Sequence, residues 1–185
     1  MGRVTSLELR WTTQLSASDY ADMAVLFDSE YEDEWGPWNP KQGYGYARGE
    51  LHCLVRDGGN LVGYAASARR FVAVGKGEVV VAGIGGVLTA AATRGQRIGH
   101  GMMSSLQEAM RGDAPAEFGL LGCREEVVPF YQSCGFVLVE SLIRDVSPRD
   151  AMTVIESAGP TLVCAGTKSI EAWPAGTIDL RGLPW

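Results

Sequence analysis

Two periods run through the apolar positions of the chain, and they mark out its elements. Arg3 to Trp11 alternates well enough to predict a first strand. Ser16 can cap a helix, with Asp19 three positions on as an imperfect capping box, and Tyr20, Met23, Ala24 and Phe27 then share one face. Glu50 to Arg56 and Leu61 to Ser67 flank Asp57-Gly58-Gly59-Asn60, a hairpin signal. Val72 to Lys76 turns into another long strand, Glu78 to Leu88, with no charge after Glu78. Ile98, Met102, Leu106 and Met110 recur every four residues and predict a helix that lays an apolar stripe on the sheet, its methionines serving as core. Glu117 to Cys123 reads as a short buried strand. Val127 to Ser133 reads as a short helix, with Pro129 tolerated in its first turn and Gly135 ending it. Two further strands, Phe136 to Asp145 and Thr161 to Gly166, lead to a tail ending in Pro184-Trp185. The expected architecture is α+β, a mixed, mostly antiparallel sheet flanked by three helices.

With 185 residues and no linker or internal repeat, the chain is expected to be one domain, 1–185. Hydrophobic residues make up 46% and charged residues 21%, and no apolar run approaches the roughly 20 residues that span a bilayer, so neither disorder nor a membrane partner is expected. The start, MGRVTSLELRW, has no secretory apolar segment, and Cys53, Cys123, Cys134 and Cys164 form no CxxC pair. A cytoplasmic protein without disulfides, structural zinc or other metal is the expectation. A net charge of −6 argues against nucleic acid and for a cationic partner. Oligomeric state is open, a homodimer included.

The acid is concentrated. Five of the seven residues from Asp28 to Glu34 are carboxylates (Asp28, Glu30, Glu32, Asp33, Glu34), and Trp35 and Trp38 follow directly. A charge run alone reads as a solvated loop. Beside aromatic faces it reads as a surface for a polyamine or an amine-bearing sugar.

The second concentration is the stretch ATRGQRIGHGMM, Ala92 to Met103, between a strand and a helix. Such a turn presents unpaired N–H groups and the positive end of the helix dipole, Arg94 and Arg97 add charge, and Gly95 and Gly99 let an anion approach the backbone. About thirty residues later, in VVPFYQSCGF, a short helix carrying Tyr131 directly precedes Gly135-Phe136 and a strand. Together these segments resemble the GNAT superfamily of N-acetyltransferases, a likeness that covers roughly Leu7 to Gly166. It implies the GNAT fold, acetyl-CoA as cosubstrate, and a pyrophosphate site at Arg94, Gly95, Gln96, Arg97, Ile98, Gly99, His100 and Gly101, with Val87 and Leu88 beside it. Arg97 stands where the superfamily usually has its second glycine. Arg-Gly-Gln-Arg, Trp173-Pro174-Ala175-Gly176 and the final Trp185 are similar to aminoglycoside 2'-N-acetyltransferases. Trp173 to Asp179 and Arg69-Arg70-Phe71 are similar to the nodulation N-acyltransferases, which acylate an amine of a chitin oligosaccharide.

Amide formation from a thioester needs the amine to lose a proton, the reactants to be aligned, the oxyanion to meet a donor and the thiolate to be protonated. The resemblance makes Tyr131 the general acid and gives the strand Gly83 to Leu88 the acetyl carbonyl and pantetheine arm. Where relatives carry a strand glutamate this chain has Gly85, so the base must come from elsewhere. Glu30 matches an acidic drug-binding residue by its Phe27-to-Tyr31 setting, and Asp179 and the terminal carboxylate of Trp185 are the other catalytic candidates, since the tail 167–185 is expected over the acceptor pocket. That pocket is expected to use Glu30, Glu32, Asp33, Trp35, Trp38, Gly85, Trp173, Asp179 and Trp185. His52 reads as a strand histidine, His100 as exposed, and Cys123 as a small buried hydrophobe. The expected function is acetylation of an aminoglycoside, kasugamycin among the candidates, giving antibiotic resistance. The alternatives are acyl transfer to another amine (amino sugar, polyamine or peptide) and a non-catalytic module that binds acyl-CoA or a drug.

Overall fold

In the computed structural model, which describes residues 5–185, strand β1 (Thr5–Trp11) turns through Thr12–Gln14 into helix α1 (Ala17–Trp35). The expected strand start at Arg3 lies outside the described residues. Ser16 caps α1 as its spacing predicts: its hydroxyl accepts from the Asp19 N–H, and the Asp19 carboxylate accepts from the Ser16 N–H at 2.8 Å. Asp19 has a second duty. Only 3% exposed, it holds Arg10 at 2.9 Å and Arg56 at 2.8 Å, which ties α1 to β1 and to β2 (Leu51–Asp57). Burial alone would raise its pKa, but the Ser16 hydrogen bonds, with Arg56 and Arg10, outweigh burial and hold it at about 2. The helix runs on through the whole acidic run and ends where Gly36 takes φ +73. The run is therefore helix, not loop.

β2 and β3 (Asn60–Val74) make the expected hairpin, with Gly58 and Gly59 both at positive φ, as a two-residue turn between right-twisted strands requires. On its other edge β3 pairs β4 (Gly77–Thr89) along nearly its whole length. Tyr64 faces Leu88 but Ala66 faces Gly85, so β4 carries an extra residue there, and Gly86 takes φ +62 at the bulge. β4 also runs parallel to β5 (Phe118–Gly122), but only from Val81 to Gly83. Past Gly83 the two strands part, β4 staying with β3 and β5 with β9 (Thr161–Ala165). Helix α2 (Ile98–Arg111) covers one face and buries Met102, Met103, Leu106, Ala109 and Met110 against residues such as Val55, Ala82 and Ile84. Each fully buried large side chain contributes about 1.5–3 kcal/mol. α3 (Val128–Ser133) follows, and Gly135 ends it at φ +87.

The segment read as one strand from Phe136 to Asp145 is two. β6 (Val137–Val139) pairs β9 at one end of the sheet, whereas β7 (Leu142–Val146) lies towards the other end, between β8 (Val154–Ala158) and β10 (Ile178–Asp179). The break falls at Glu140-Ser141, where the Ser141 hydroxyl donates to the Gly176 carbonyl at 2.6 Å. The sheet order is β6-β9-β5-β4-β3-β10-β7-β8, with β1 and β2 continuing from the first half of β3. Its pairs are antiparallel except β4–β5 and β7–β10, so the α+β, mixed-sheet expectation holds. Among the described residues no helix is long and apolar enough to cross a membrane.

Candidate active site

Where β4 and β5 part, a cavity of about 1140 Å³ opens through the sheet. Its first wall is the start of α2. Arg97 caps that helix in the left-handed conformation, φ 61, and makes no side-chain capping hydrogen bond to the first-turn N–H groups. Gly95, at φ +81, has open space where a side chain would stand. Arg94, Gly95, Arg97, Ile98, Gly99 and His100 line the cavity, as do Val87 and Leu88. Bare N–H groups, a helix dipole and two guanidinium groups suit a diphosphate, and the narrow gap beyond suits a flexible arm. Two expected members do not line it: Gln96 is exposed, and Gly101 faces Leu7 on the other side of the helix. His100 is half-buried rather than exposed, because it bridges the Ser133 hydroxyl at 3.0 Å and meets Phe130 edge-on. Among the described residues no group of three or more His, Cys, Asp or Glu could hold a metal ion.

Tyr131 lies next, buried and packed edge-on against Phe130 and Phe136. Burial pushes its phenol pKa up, so it stays protonated at neutral pH, as a proton donor must. Cys123 also lines the cavity. Burial raises its thiol, which disfavours a thiolate nucleophile.

The far wall belongs to α1. Phe27, Glu30, Tyr31 and Glu34 follow the i, i+3, i+4, i+7 spacing of one helix face and line the cavity. Glu32 and Asp33 point away and are exposed, so the acidic run contributes through its spacing rather than as a block. Trp38 stacks on Phe27 with centroids 4.9 Å apart and planes 5° apart, while its main-chain N–H donates to the Asp28 carboxylate at 2.6 Å. Tyr44 and Trp35 extend this aromatic lining. Glu30 is paired with Arg94, so the acid wall and the anion cradle share an ion pair.

Sequence reasoning missed Tyr64, while His52 is the strand histidine it was read as, buried in β2. Both line the cavity, buried, and the Tyr64 hydroxyl is 2.7 Å from His52 Nδ1, with Thr12 Oγ1 2.9 Å from Nε2. Burial lowers the His52 pKa to about 4, so the ring is neutral. Thr12 Oγ1 lies 3.1 Å from the Gly49 carbonyl and can donate to it, which leaves Thr12 to accept from Nε2–H and Nδ1 to accept from Tyr64. The Tyr64 oxygen then keeps a lone pair for a ligand beside the Gly86 bulge, where its ring already lies. No spacing in β2 or β3 marks this pair, since it forms across strands.

The tail is only partly where it was expected. Trp185 does reach the cavity: a Cβ on Gly85 would come within 2.5 Å of its carbonyl carbon, so no residue 85 side chain can coexist with this tail. Asp179 and Trp173 do not line it. Asp179 is enrolled in β10, accepts from the Arg181 N–H and sits 3.7 Å from Arg144. Trp173 packs edge-on against Phe118 at 5.1 Å, in the second apolar core. Both lie off the cavity wall because the tail adds a strand before it turns into the site.

Comparison with known proteins agrees with this architecture. The structure resembles a GNAT family N-acetyltransferase, YhbS, from Escherichia coli solved in complex with CoA, with a TM-score of 0.64 at 14% identity over 96% of this chain and 89% of that one. An acyl-CoA N-acyltransferase from Pseudomonas aeruginosa gives 0.59 at 20% identity, over 88% of this chain and all of that one. The fold is thus the GNAT fold. In sequence the chain is 25% identical to Nodulation protein A of Methylobacterium nodulans, over 95% of this chain and 87% of that protein. The Bradyrhizobium elkanii protein is 24% identical over 95% and 89%. The Nodulation protein A (NodA) family matches residues 4–183, which is nearly the whole chain, and the chain belongs to that family.

Proposed function

We propose that the protein is an N-acyltransferase that moves an acyl group from an acyl-CoA thioester to an amine on a cationic, sugar-like acceptor. The observation that carries this reading is one cavity lined in turn by an anion cradle, a buried protonated tyrosine and a wall of acids and aromatic rings. Arg94, Arg97 and the first-turn N–H groups of α2 hold the diphosphate, and the β4 bulge offers main-chain groups to the thioester carbonyl. Phe27, Trp38 and Tyr44 offer faces to a sugar ring, and Glu30 and Glu34 pair with its ammonium groups. The amine nitrogen attacks the carbonyl carbon, the carbon–sulfur bond breaks and Tyr131 gives its proton to the sulfur. The amine proton passes to a carboxylate of this wall, Glu30 being the side chain that reaches it, directly or through water.

Family membership favours acyl transfer to an amine of this kind over inactivation of an aminoglycoside such as kasugamycin, which remains a narrower version of the same chemistry. A hundredfold excess of CoA over its dissociation constant should stabilise the fold by about 2.7 kcal/mol. Absence of any shift in melting temperature with millimolar CoA or acetyl-CoA would remove the acyl-CoA reading.

The acceptor wall has its own test. Glu30→Gln is expected to raise KM for the amine roughly tenfold, the scale of about 1.5 kcal/mol lost with a charged hydrogen bond, and to lower the turnover number, since an amide cannot take the amine proton. KM for acyl-CoA should not rise, since Arg94 loses a competitor for its charge. Asp179→Asn should leave the amine KM within about twofold. A larger effect from Asp179 than from Glu30 in steady-state assays would place the acceptor elsewhere.

A further inference from the structure

We propose that Tyr64 holds the acceptor amine for attack. Its hydroxyl oxygen accepts an N–H of the amine and turns the nitrogen lone pair towards the thioester carbonyl, while His52 fixes the hydroxyl in that role. The inference rests on the acyltransferase reading above and adds two residues to its acceptor subsite. The Tyr64 ring stands where the α1 wall meets the β4 bulge, edge-on to Phe27 with centroids 5.4 Å apart. A Cβ on Gly86 would lie 3.0 Å from the Tyr64 ring and 3.4 Å from that of Phe27. Beyond the ring the cavity wall continues through Ala66, His52 and Gly49, so the hydroxyl borders the space between the bulge and His52.

The direction of one proton decides what this hydroxyl can bind. A phenol that donates to Nδ1 has only lone pairs left, and it selects an N–H or O–H. A phenol that accepts from Nδ1–H keeps its own proton free, and it would select a carbonyl oxygen. Two carbonyls favour the first arrangement. Thr12 Oγ1 lies 3.1 Å from the Gly49 carbonyl and 3.2 Å from the Glu50 carbonyl, so its proton goes to one of them and its lone pair accepts from Nε2–H at 2.9 Å. Burial keeps both rings uncharged, pushing the Tyr64 phenol up and the His52 imidazole down to about 4. With Nε2 protonated and the ring neutral, Nδ1 must accept, and the Tyr64 proton is committed to it at 2.7 Å. Tyr64 makes and breaks no covalent bond in this role; the amine proton still passes to the carboxylate wall.

The 15N shifts of the His52 ring nitrogens at neutral pH should show the Nε2–H tautomer, and an Nδ1–H tautomer overturns the proposal. Thiol release is then followed with glucosamine or spermidine as acceptor and acetyl-CoA or octanoyl-CoA as donor. Tyr64→Phe keeps the ring against Phe27 and should lower the turnover number roughly a hundredfold, with KM for acyl-CoA within about twofold of the parent. His52→Phe should lower turnover at least roughly tenfold. His52→Asn, whose amide oxygen can stand in for Nδ1 as the acceptor, should recover to within about threefold of the parent. An unchanged turnover number in Tyr64→Phe overturns the proposal, as does an Asn variant as slow as the Phe variant. If the His52 variants do not fold, the tautomer and Tyr64→Phe decide. A parent that releases no thiol from either donor with either amine overturns the acyltransferase reading instead.

Discussion

Tyr131→Phe should lower the turnover number by something like 10² to 10⁴ while CoA affinity changes little. The ring and its packing against Phe130 and Phe136 survive the substitution, and only the hydroxyl is lost. A proton donor to a thiolate must hold its proton until the carbon–sulfur bond breaks. Burial raises the Tyr131 pKa above the ordinary phenol value of 10.0, so the parent should show no loss of rate from its ionisation anywhere up to that pH. The residual rate of the variant should depend on the leaving thiol, since protonation then falls to water. An unchanged turnover number in single-turnover kinetics, where product release is removed, would reduce Tyr131 to a packing residue beneath the thioester.

Much of this site is written in local sequence, because its parts are local devices. The anion cradle is a strand, a glycine turn and a helix start within a dozen residues, and Tyr131 is marked by the short helix before Gly135-Phe136. The capping box at Ser16 and the glycine pair at Gly58-Gly59 likewise settle their turns without distant help. What sequence could not give is which members of a legible cluster face inwards. Glu30, Glu32, Asp33 and Glu34 are equivalent in composition, and only the continuation of α1 to Trp35 separates the inward pair from the outward one.

Non-local pairing accounts for the rest. The two-residue strand β10 has no periodicity to detect, yet its pairing with β3 and β7 carries Asp179 away from the cavity and steers Trp185 into it. The same pairing splits Phe136 to Asp145, since β6 and β7 serve different partners near opposite ends of the sheet. Tyr64 and His52 are neighbours only because the β2–β3 register places them so; each alone reads as an ordinary strand residue. Gly85, read by sequence as a missing base, gains a positive reason from the tail: a side chain there would collide with Trp185.

Asp19→Ala should destabilise the fold by about 3 kcal/mol, the largest single loss expected outside the apolar core. The carboxylate closes the capping box of α1 and holds Arg10 and Arg56, so its removal leaves two guanidinium groups and the Ser16 N–H short of a partner. Arg56 keeps Asp22 at 2.7 Å, and that residual pair places the loss at the lower end of what breaking a buried ion pair costs. The pH dependence gives a sharper signature. The folded pKa, about 2, lies below the ordinary 3.8, so the unfolded chain binds the proton more tightly. The contribution is complete above about pH 4 and drains as pH falls towards 2, and a shift of that size is worth about 2 kcal/mol. Urea unfolding should therefore show a stability gap between parent and Asp19→Ala that is wide at pH 7 and narrow near pH 2. Asp19→Asn, which can still accept from Ser16, separates cap from charge: it should recover part of the loss at pH 7 and none of the pH dependence. A gap equally wide at both pH values would mean that packing around Asp19, not its charge, fastens α1. In that case the anchoring of the helix that carries Glu30 and the aromatic wall would rest on Met23, Leu26 and Phe27.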